Sequence, residues 1–252
     1  MIGRKPAVER FRQMLSGSLH ERILRVSGAE KMGKSRLMRE YRRIAINEFR
    51  AQCALIDLRP QLQKQNHGDV LEAISQQLGS TYFPKYRAVR DKISTQNTVQ
   101  VRGVTQIFSK LFIRSESDED VAENQRRRLT EAILEDLQTI PSQLLILLLL
   151  DSFEQAEAPV RAWINNQLLT GLSGLPNMYT VVAGRQLPEP HAAWQDIASE
   201  YDLPQVGEED YLKYCTSIGI VPEDSVIKAF HRAFEGKPGL FVEVASKLGR
   251  GV

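Results

Sequence analysis

The sharpest constraint on the fold lies between residues 23 and 49. There a short apolar run, Ile23-Leu24-Arg25-Val26, passes through Ser27 into two spaced glycines and then into a helical pattern. Leu37, Met38, Tyr41, Ile44 and Ala45 recur at the steps of one helix face, so residues 34–49 read as a helix and residues 23–26 as a strand. Between them stands Gly28-Ala29-Glu30-Lys31-Met32-Gly33-Lys34-Ser35, followed by Arg36. Glycines at this spacing let the backbone turn so that successive amides gather at the start of the helix, where the positive end of its dipole also lies. Strand, loop and helix together form a cradle for a polyphosphate, and Gly-x-x-x-x-Gly-Lys-Ser is the phosphate-loop spacing. In such a cradle Lys34 reaches the β- and γ-phosphates of ATP, and the Ser35 hydroxyl binds Mg²⁺.

A phosphate loop needs an acidic anchor for the metal at the end of another buried strand. The run over residues 143–150, apolar from Leu144 to Leu150, ends in Asp151, and an unbroken apolar stretch of that kind suits a strand covered on both faces of a parallel sheet. Asp151 is therefore the expected second metal ligand. Ser152 follows it, and Glu154 is the nearest carboxylate placed to act as a general base toward water. A further strand over residues 179–183 runs into Gly184-Arg185, which puts a cation at the same edge of the sheet, and Arg185 is the candidate sensor of the γ-phosphate.

The remaining pattern predicts helices over residues 6–15, 69–78, 123–139 and 159–172, a strand over 53–58 and a short last strand over 201–206. Residues 99–113 alternate weakly, as in a hairpin. Residues 115–123 carry five acids and no base and read as a solvated loop. After Gly207 only helical patterns remain, over 208–218, 222–234 and 239–248, separated by Gly219 and by the Gly236-Lys237-Pro238 turn. The expected architecture is a three-layer α/β/α fold with a parallel sheet over residues 1–206, plus a small all-α lid over 207–252.

The 252 residues are 42% hydrophobic and 25% charged, values that suit a folded globular chain. Lys and Arg total 33 against 31 acids, so the balance gives no support for nucleic acid as a partner. Cys53 and Cys215 are too few for a disulfide framework and read as core residues, and His20, His67, His191 and His231 lack zinc-ligand spacing. The longest apolar run is far short of the roughly 20 residues that cross a bilayer, and no signal-peptide core opens the chain. The expected location is cytoplasmic. Trp163 and Trp194 read as core or interface residues, and Arg126-Arg127-Arg128 as a solvated helix face.

Taken together, these residues resemble the STAND group of signalling ATPases within the AAA-related P-loop proteins. Ile2-Gly3-Arg4 with Val8 and Phe11 resembles the group's opening hydrophobic-Gly-Arg signature, which lies over the nucleotide base, so the resemblance implies an adenine or ribose contact for Arg4. The strand ending in Asp151, the helix that contains Trp163, and Val181-Val182-Ala183-Gly184-Arg185 resemble its Walker B strand, following helix and first sensor. Gly236-Lys237-Pro238 resembles its Gly-x-Pro element, whose proline packs on the adenine. The resemblance implies an oligomerisation switch controlled by ADP and ATP, with slow hydrolysis, self-association in the ATP state, and further domains of a longer parent. Two other readings stay open: a DNA-associated ATPase like replication initiators or transposition regulators, and a nucleotide-binding scaffold with little turnover.

Overall fold

The computed structural model describes residues 2–60, 66–104, 116–217, 219 and 222–242. Its centre is a five-stranded sheet in the order β2-β3-β4-β1-β5, parallel throughout: β1 (Ile23–Ser27), β2 (Gln52–Asp57), β3 (Ile146–Asp151), β4 (Met178–Ala183) and β5 (Ala198–Asp202). Every residue of β3 is buried, as its unbroken apolar run requires of a strand covered on both faces.

Strand alternation divides the core into two layers. On one face Leu147, Leu149, Val181 and Ala183 pack with Leu24 and Val26 beneath α1 (Lys5–Leu15) and α2 (Lys34–Phe49), where Phe11 stacks on Tyr41 at 4.1 Å. On the other face Leu148, Leu150 and Val182 meet α3 (His67–Leu78), α5 (Glu116–Thr139) and the α6–α7 helix. In that last element α6 (Ala158–Trp163) and α7 (Leu169–Ser173) are joined by a π turn over Ile164–Leu168. The open edge of β2 is blunted by Gln77 of α3, whose amide accepts from the Leu55 N–H at 2.9 Å and donates to the Leu55 carbonyl at 3.0 Å.

Two expectations give way to helices. The weak alternation at 99–113 is helix as far as residue 104, because α4 (Pro84–Val104) runs through it; the remainder of that stretch lies outside the described residues. Two features favour α4: the proline that opens it and a tertiary cap, in which Asp136 of α5 accepts from the backbone N–H of Tyr86 at 2.9 Å and of Lys85 at 3.3 Å. The acidic stretch at 115–123, read as a loop, is the opening of α5 from Glu116 onward. Carboxylates in a first turn complement the helix dipole, so a cluster of acids there favours helix over solvated coil. The last strand also begins earlier than the expected 201–206. Register with β1, from Ile23 opposite Ala198 to Ser27 opposite Asp202, fixes it at Ala198–Asp202.

After Val206 the chain forms α8 (Glu208–Ser217) and α9 (Asp224–Phe234), followed by a final described turn of helix at residues 238–242. Tyr211, Cys215, Ile227 and Phe241 make a separate small core here, and Ile2 and Val206 join it, so the first residues of the chain pack with the last helices. Residues 243–248 of the third expected lid helix lie outside the described residues. Both cysteines and both tryptophans are buried.

One buried polar contact crosses the helical layer: the Trp163 indole N–H donates to the Thr130 hydroxyl at 2.9 Å. Thr130→Val conserves volume but strands that donor in a dry interior, so urea denaturation should show a loss of about 1–3 kcal/mol. A change near zero would show that the indole finds another acceptor.

Candidate functional site

The phosphate loop takes the shape that its glycines permit. Gly28 (φ 152°), Lys31 (φ 63°) and Gly33 (φ 89°) all have positive φ, and Gly33 caps α2 with no side chain bonded to the helix start. The first α-helical bond shown at that end is Leu37 N–H to Gly33 C=O at 3.0 Å, so the amides of residues 34–36 point out of the helix end, where an anion can take them. Lys34 folds back over the loop, its ammonium donating to the carbonyls of Gly28 at 2.5 Å and Ala29 at 2.8 Å. Burial lowers its pKa against the opposing pull of Glu154 and Asp151. Its ammonium is partly desolvated, and its two carbonyl bonds are short and charge-assisted.

Asp151 lies at the carboxyl end of β3, separated from β1 by β4 alone. Two strand spacings are roughly 10 Å, and the first turn of α2 narrows that gap by bringing the Ser35 hydroxyl toward the Asp151 carboxylate, whose pKa it lowers. Asp151 is 5% exposed and its Oδ1 has no partner. Burial raises its pKa, the Ser35 hydroxyl lowers it, and the neighbouring Asp57 raises it further. An orphaned carboxylate oxygen beside a hydroxyl is a donor set that fits Mg²⁺, a hard cation that takes oxygen ligands.

Just past Asp151, Ser152 adopts a left-handed conformation (φ 63°), and a single 3₁₀ turn carries Glu154 back toward the end of β4. Glu154 receives the Arg185 backbone N–H at Oε2 and the Arg185 Nε at Oε1, each at 3.0 Å. Burial alone would raise the Glu154 pKa, but these hydrogen bonds and the charge of Lys34 outweigh it and hold the carboxyl below the usual range. Gly184 permits the contact, because a Cβ there would stand 2.8 Å from Glu154 Oε2 and 2.4 Å from the Gln186 carbonyl. The expected base and the expected sensor thus meet each other.

Two cavities adjoin along the loop. A cleft of about 500 Å³ is lined by Glu30, Lys31, Gly33, Lys34, Ser35 and Arg36 of the loop and helix, with Glu154 and Arg185 across from them. A smaller apolar pocket of about 130 Å³ lies between Ile2 and Arg4, Met32, and the lid residues Tyr214, Pro238 and Val242. Gly33, Arg36 and Gly239 line both. Arg4 is only 2% exposed, and its guanidinium donates to the carbonyls of Pro204 and Met32, each at 2.8 Å, so it fastens the loop to the segment entering the lid. The lid closes on the loop directly: Gly239 N–H donates to the Lys31 carbonyl at 2.9 Å, and a Cβ on Gly239 would lie 2.6 Å from that oxygen.

Gly28, Ala29, Met32, Asp151 and Pro238 therefore surround the same loop as the other expected residues. Arg126 and Arg127 are engaged elsewhere, with Glu123 and Glu131. Asp57, opposite Asp151, and Arg59, Gln155, Tyr214 and Gly239 also adjoin the loop or its cleft, and the sequence does not single them out. Asp57 carries a signal of the same kind as Asp151, an acid closing a strand pattern, whereas Tyr214 and Gly239 reach the site only through the packing of the lid.

No family model matches the chain, and no curated protein matches its sequence. Among solved structures, a Walker-type ATPase of Pyrococcus abyssi is similar at a TM-score of 0.53 and 12% identity, over 95% of this chain and 65% of that one. A STAND protein of Pyrococcus horikoshii with a tetratricopeptide-repeat sensor is similar at 0.55 and 12% identity, over 94% of this chain and 28% of that one. Cdc6p of Pyrobaculum aerophilum is similar at 0.52 and 12% identity, over 85% and 48%. The chain thus spans between 28% and 65% of these structures, and identity this low makes the likeness one of fold. With its loop, sheet order and helical appendage, the chain has the α/β/α fold of a P-loop ATPase.

The raised pKa of Asp151 carries a stability consequence. The folded state holds this proton more tightly than the unfolded chain, so the cost of ionising it is absent below the unfolded-state value, grows as the pH rises between the two values and is complete above the folded-state value. Asp151→Asn should therefore raise the melting temperature of the nucleotide-free protein at neutral pH, with the gain fading as the pH falls into the ordinary carboxylate range. A variant that melts lower than wild type at neutral pH would contradict this.

Proposed function

We propose that the chain is the ATP- and Mg²⁺-binding module of a STAND-type signalling ATPase, a switch whose lid responds to the nucleotide. The observation that carries this reading is the contact of Gly239 with Lys31, because it joins the lid to the loop that would wrap the phosphates. In this reading the phosphates lie along residues 28–36, Ser35 and Asp151 hold the metal, and the base enters the apolar pocket against Met32, Tyr214 and Pro238, with Arg4 at its edge. When bound, Mg²⁺ supplies charge neutralisation across the β- and γ-phosphate oxygens.

Arg185 and Pro238 are the proposed readers of nucleotide state, since a ligand shifts a lid only by contacting its two positions differently. The grip of Arg185 on Glu154 supports slow turnover: that carboxylate has to exchange an arginine for a water before it can act as a base. Further domains of a longer parent protein and self-association in the ATP state belong to the same reading, as does a cytoplasmic location. Among the described residues no helix is long and apolar enough to cross a membrane.

A second reading, an ATPase acting with DNA, is favoured by one specific observation. The net charge of +2 conceals a local basic face, since Arg36, Arg39, Arg42 and Arg50 are all exposed on or beside α2. The fold likeness to Cdc6p is also nearly as close as that to the STAND protein. Filter binding to duplex DNA at physiological salt separates the two: retention that falls steeply with salt supports the DNA reading.

The nucleotide reading itself is tested by calorimetry with ADP and ATP in the presence of Mg²⁺. Wild type should bind both, and Lys34→Ala should lose at least about tenfold in affinity for each, as expected when a charge-assisted contact to phosphate is removed. Equal affinities in variant and wild type would refute it.

A further inference from the structure

The cleft beside the loop contains one arginine, Arg59, that comes from neither the loop, helix α2 nor the turn after β4. β2 lies beside β3, with Asp57 directly opposite Asp151, and the ladder continues past the strand ends as Leu58 N–H donates to the Asp151 carbonyl at 2.9 Å. Two residues on, Arg59 turns back onto Asp57. Its backbone N–H reaches Oδ1 at 3.1 Å, its Nε lies 2.9 Å from Oδ1 and 3.0 Å from Oδ2, and its Nη2 bonds Oδ2. The Arg59 side chain is still 54% exposed, and it lines the same cleft as Lys34, Ser35, Glu154 and Arg185.

An exposed arginine paired with a carboxylate two residues away is by itself an ordinary surface feature that contributes little to stability. Position distinguishes this one. It stands at the carboxyl end of a parallel strand, the edge of the sheet where open α/β folds bind their ligands. It also lies on the far side of Asp151 from the loop, because β2 follows β3 in the sheet order. Were Ser35 and Asp151 to hold the metal of a nucleotide lying along the loop, a cation beyond Asp151 would face the terminal phosphate rather than the base. Planar guanidinium oriented by a carboxylate on one edge presents its remaining N–H groups as a fork suited to phosphate oxygens.

We infer that Arg59, oriented by Asp57, contacts the terminal phosphate of a bound nucleoside triphosphate and so makes the site discriminate triphosphate from diphosphate. The inference deepens the nucleotide reading above and rests on it. Arg59 is the binding residue and Asp57 the positioning residue. Together with Lys34 from the loop and Arg185 from β4, Arg59 places cations from three separate elements around the metal and terminal phosphate.

Calorimetry of the full chain with Mg²⁺ and either ADP or a non-hydrolysable ATP analogue tests this, with wild type, Arg59→Ala, Arg59→Lys, Asp57→Asn and Lys34→Ala in parallel. Arg59→Ala should weaken the triphosphate by about 10- to 100-fold, the size expected for a charge-assisted hydrogen bond, and leave ADP within about twofold. Arg59→Lys should recover part of the triphosphate affinity, and Asp57→Asn should give an intermediate ratio of the two affinities with an unchanged circular-dichroism spectrum. Equal losses for both nucleotides, or none for the triphosphate, in a protein whose wild type binds both and whose Lys34→Ala binds each at least about tenfold more weakly, would overturn this inference and leave the nucleotide reading standing. Wild type that binds neither would overturn both.

Discussion

The site depends on a backbone turn that few sequences can make. Between β1 and α2 the chain takes positive φ at Gly28, Lys31 and Gly33, and only that path leaves the amides at the head of α2 open while delivering Lys34 and Ser35 to the carboxyl edge of the sheet. The turn is also held from outside. Arg4 bonds the Met32 carbonyl from the amino-terminal side, Gly239 bonds the Lys31 carbonyl from the lid, and Pro238 packs within 3.8 Å of where a Gly33 Cβ would stand. Left-handed backbone at Lys31 costs free energy, and these contacts over-determine it.

Electrostatics at the sheet edge follow from the strand order. β3 lies next to β2, so Asp151 has Asp57 beside it, and both carboxylates stand at the end of a fully apolar layer. The burial that makes Asp151 costly to ionise also leaves its Oδ1 without a partner and so open to a cation. Arg59 pairs with Asp57, whereas the Ser35 hydroxyl near Asp151 carries no charge to offset the other. Past the ends of β3 and β4, Glu154 and Arg185 pair as Asp57 and Arg59 do. The cleft therefore contains internal pairs that a polyphosphate and its metal would have to rearrange, which gives the site a means of differing between its empty and filled states.

Much of the fold was readable from local pattern. The unbroken apolar run of β3, the helix face of α2 and the acid and arginine that end β3 and precede the turn after β4 are short-range signals, and each stands where the pattern put it. What pattern misjudged was the region before β3. There α4 is capped by Asp136 from another helix, and the stretch that composition alone reads as a solvated loop is helix from Glu116 onward. Both features depend on partners or dipoles that a window of sequence does not contain.

By itself, then, the sequence determined the glycine loop between β1 and α2, the acid that ends β3 and the covered strands of the sheet, because glycine spacing, strand burial and helix periodicity are properties of contiguous residues. Tertiary structure decided the rest. It set Asp57 opposite Asp151, brought Arg59 into the cleft, locked Glu154 to Arg185, made Arg4 a buried clamp on the Met32 carbonyl, and seated Gly239 on Lys31. Those arrangements join residues that lie far apart in the chain or on neighbouring strands, and only sheet order and helix packing bring such groups within hydrogen-bonding distance.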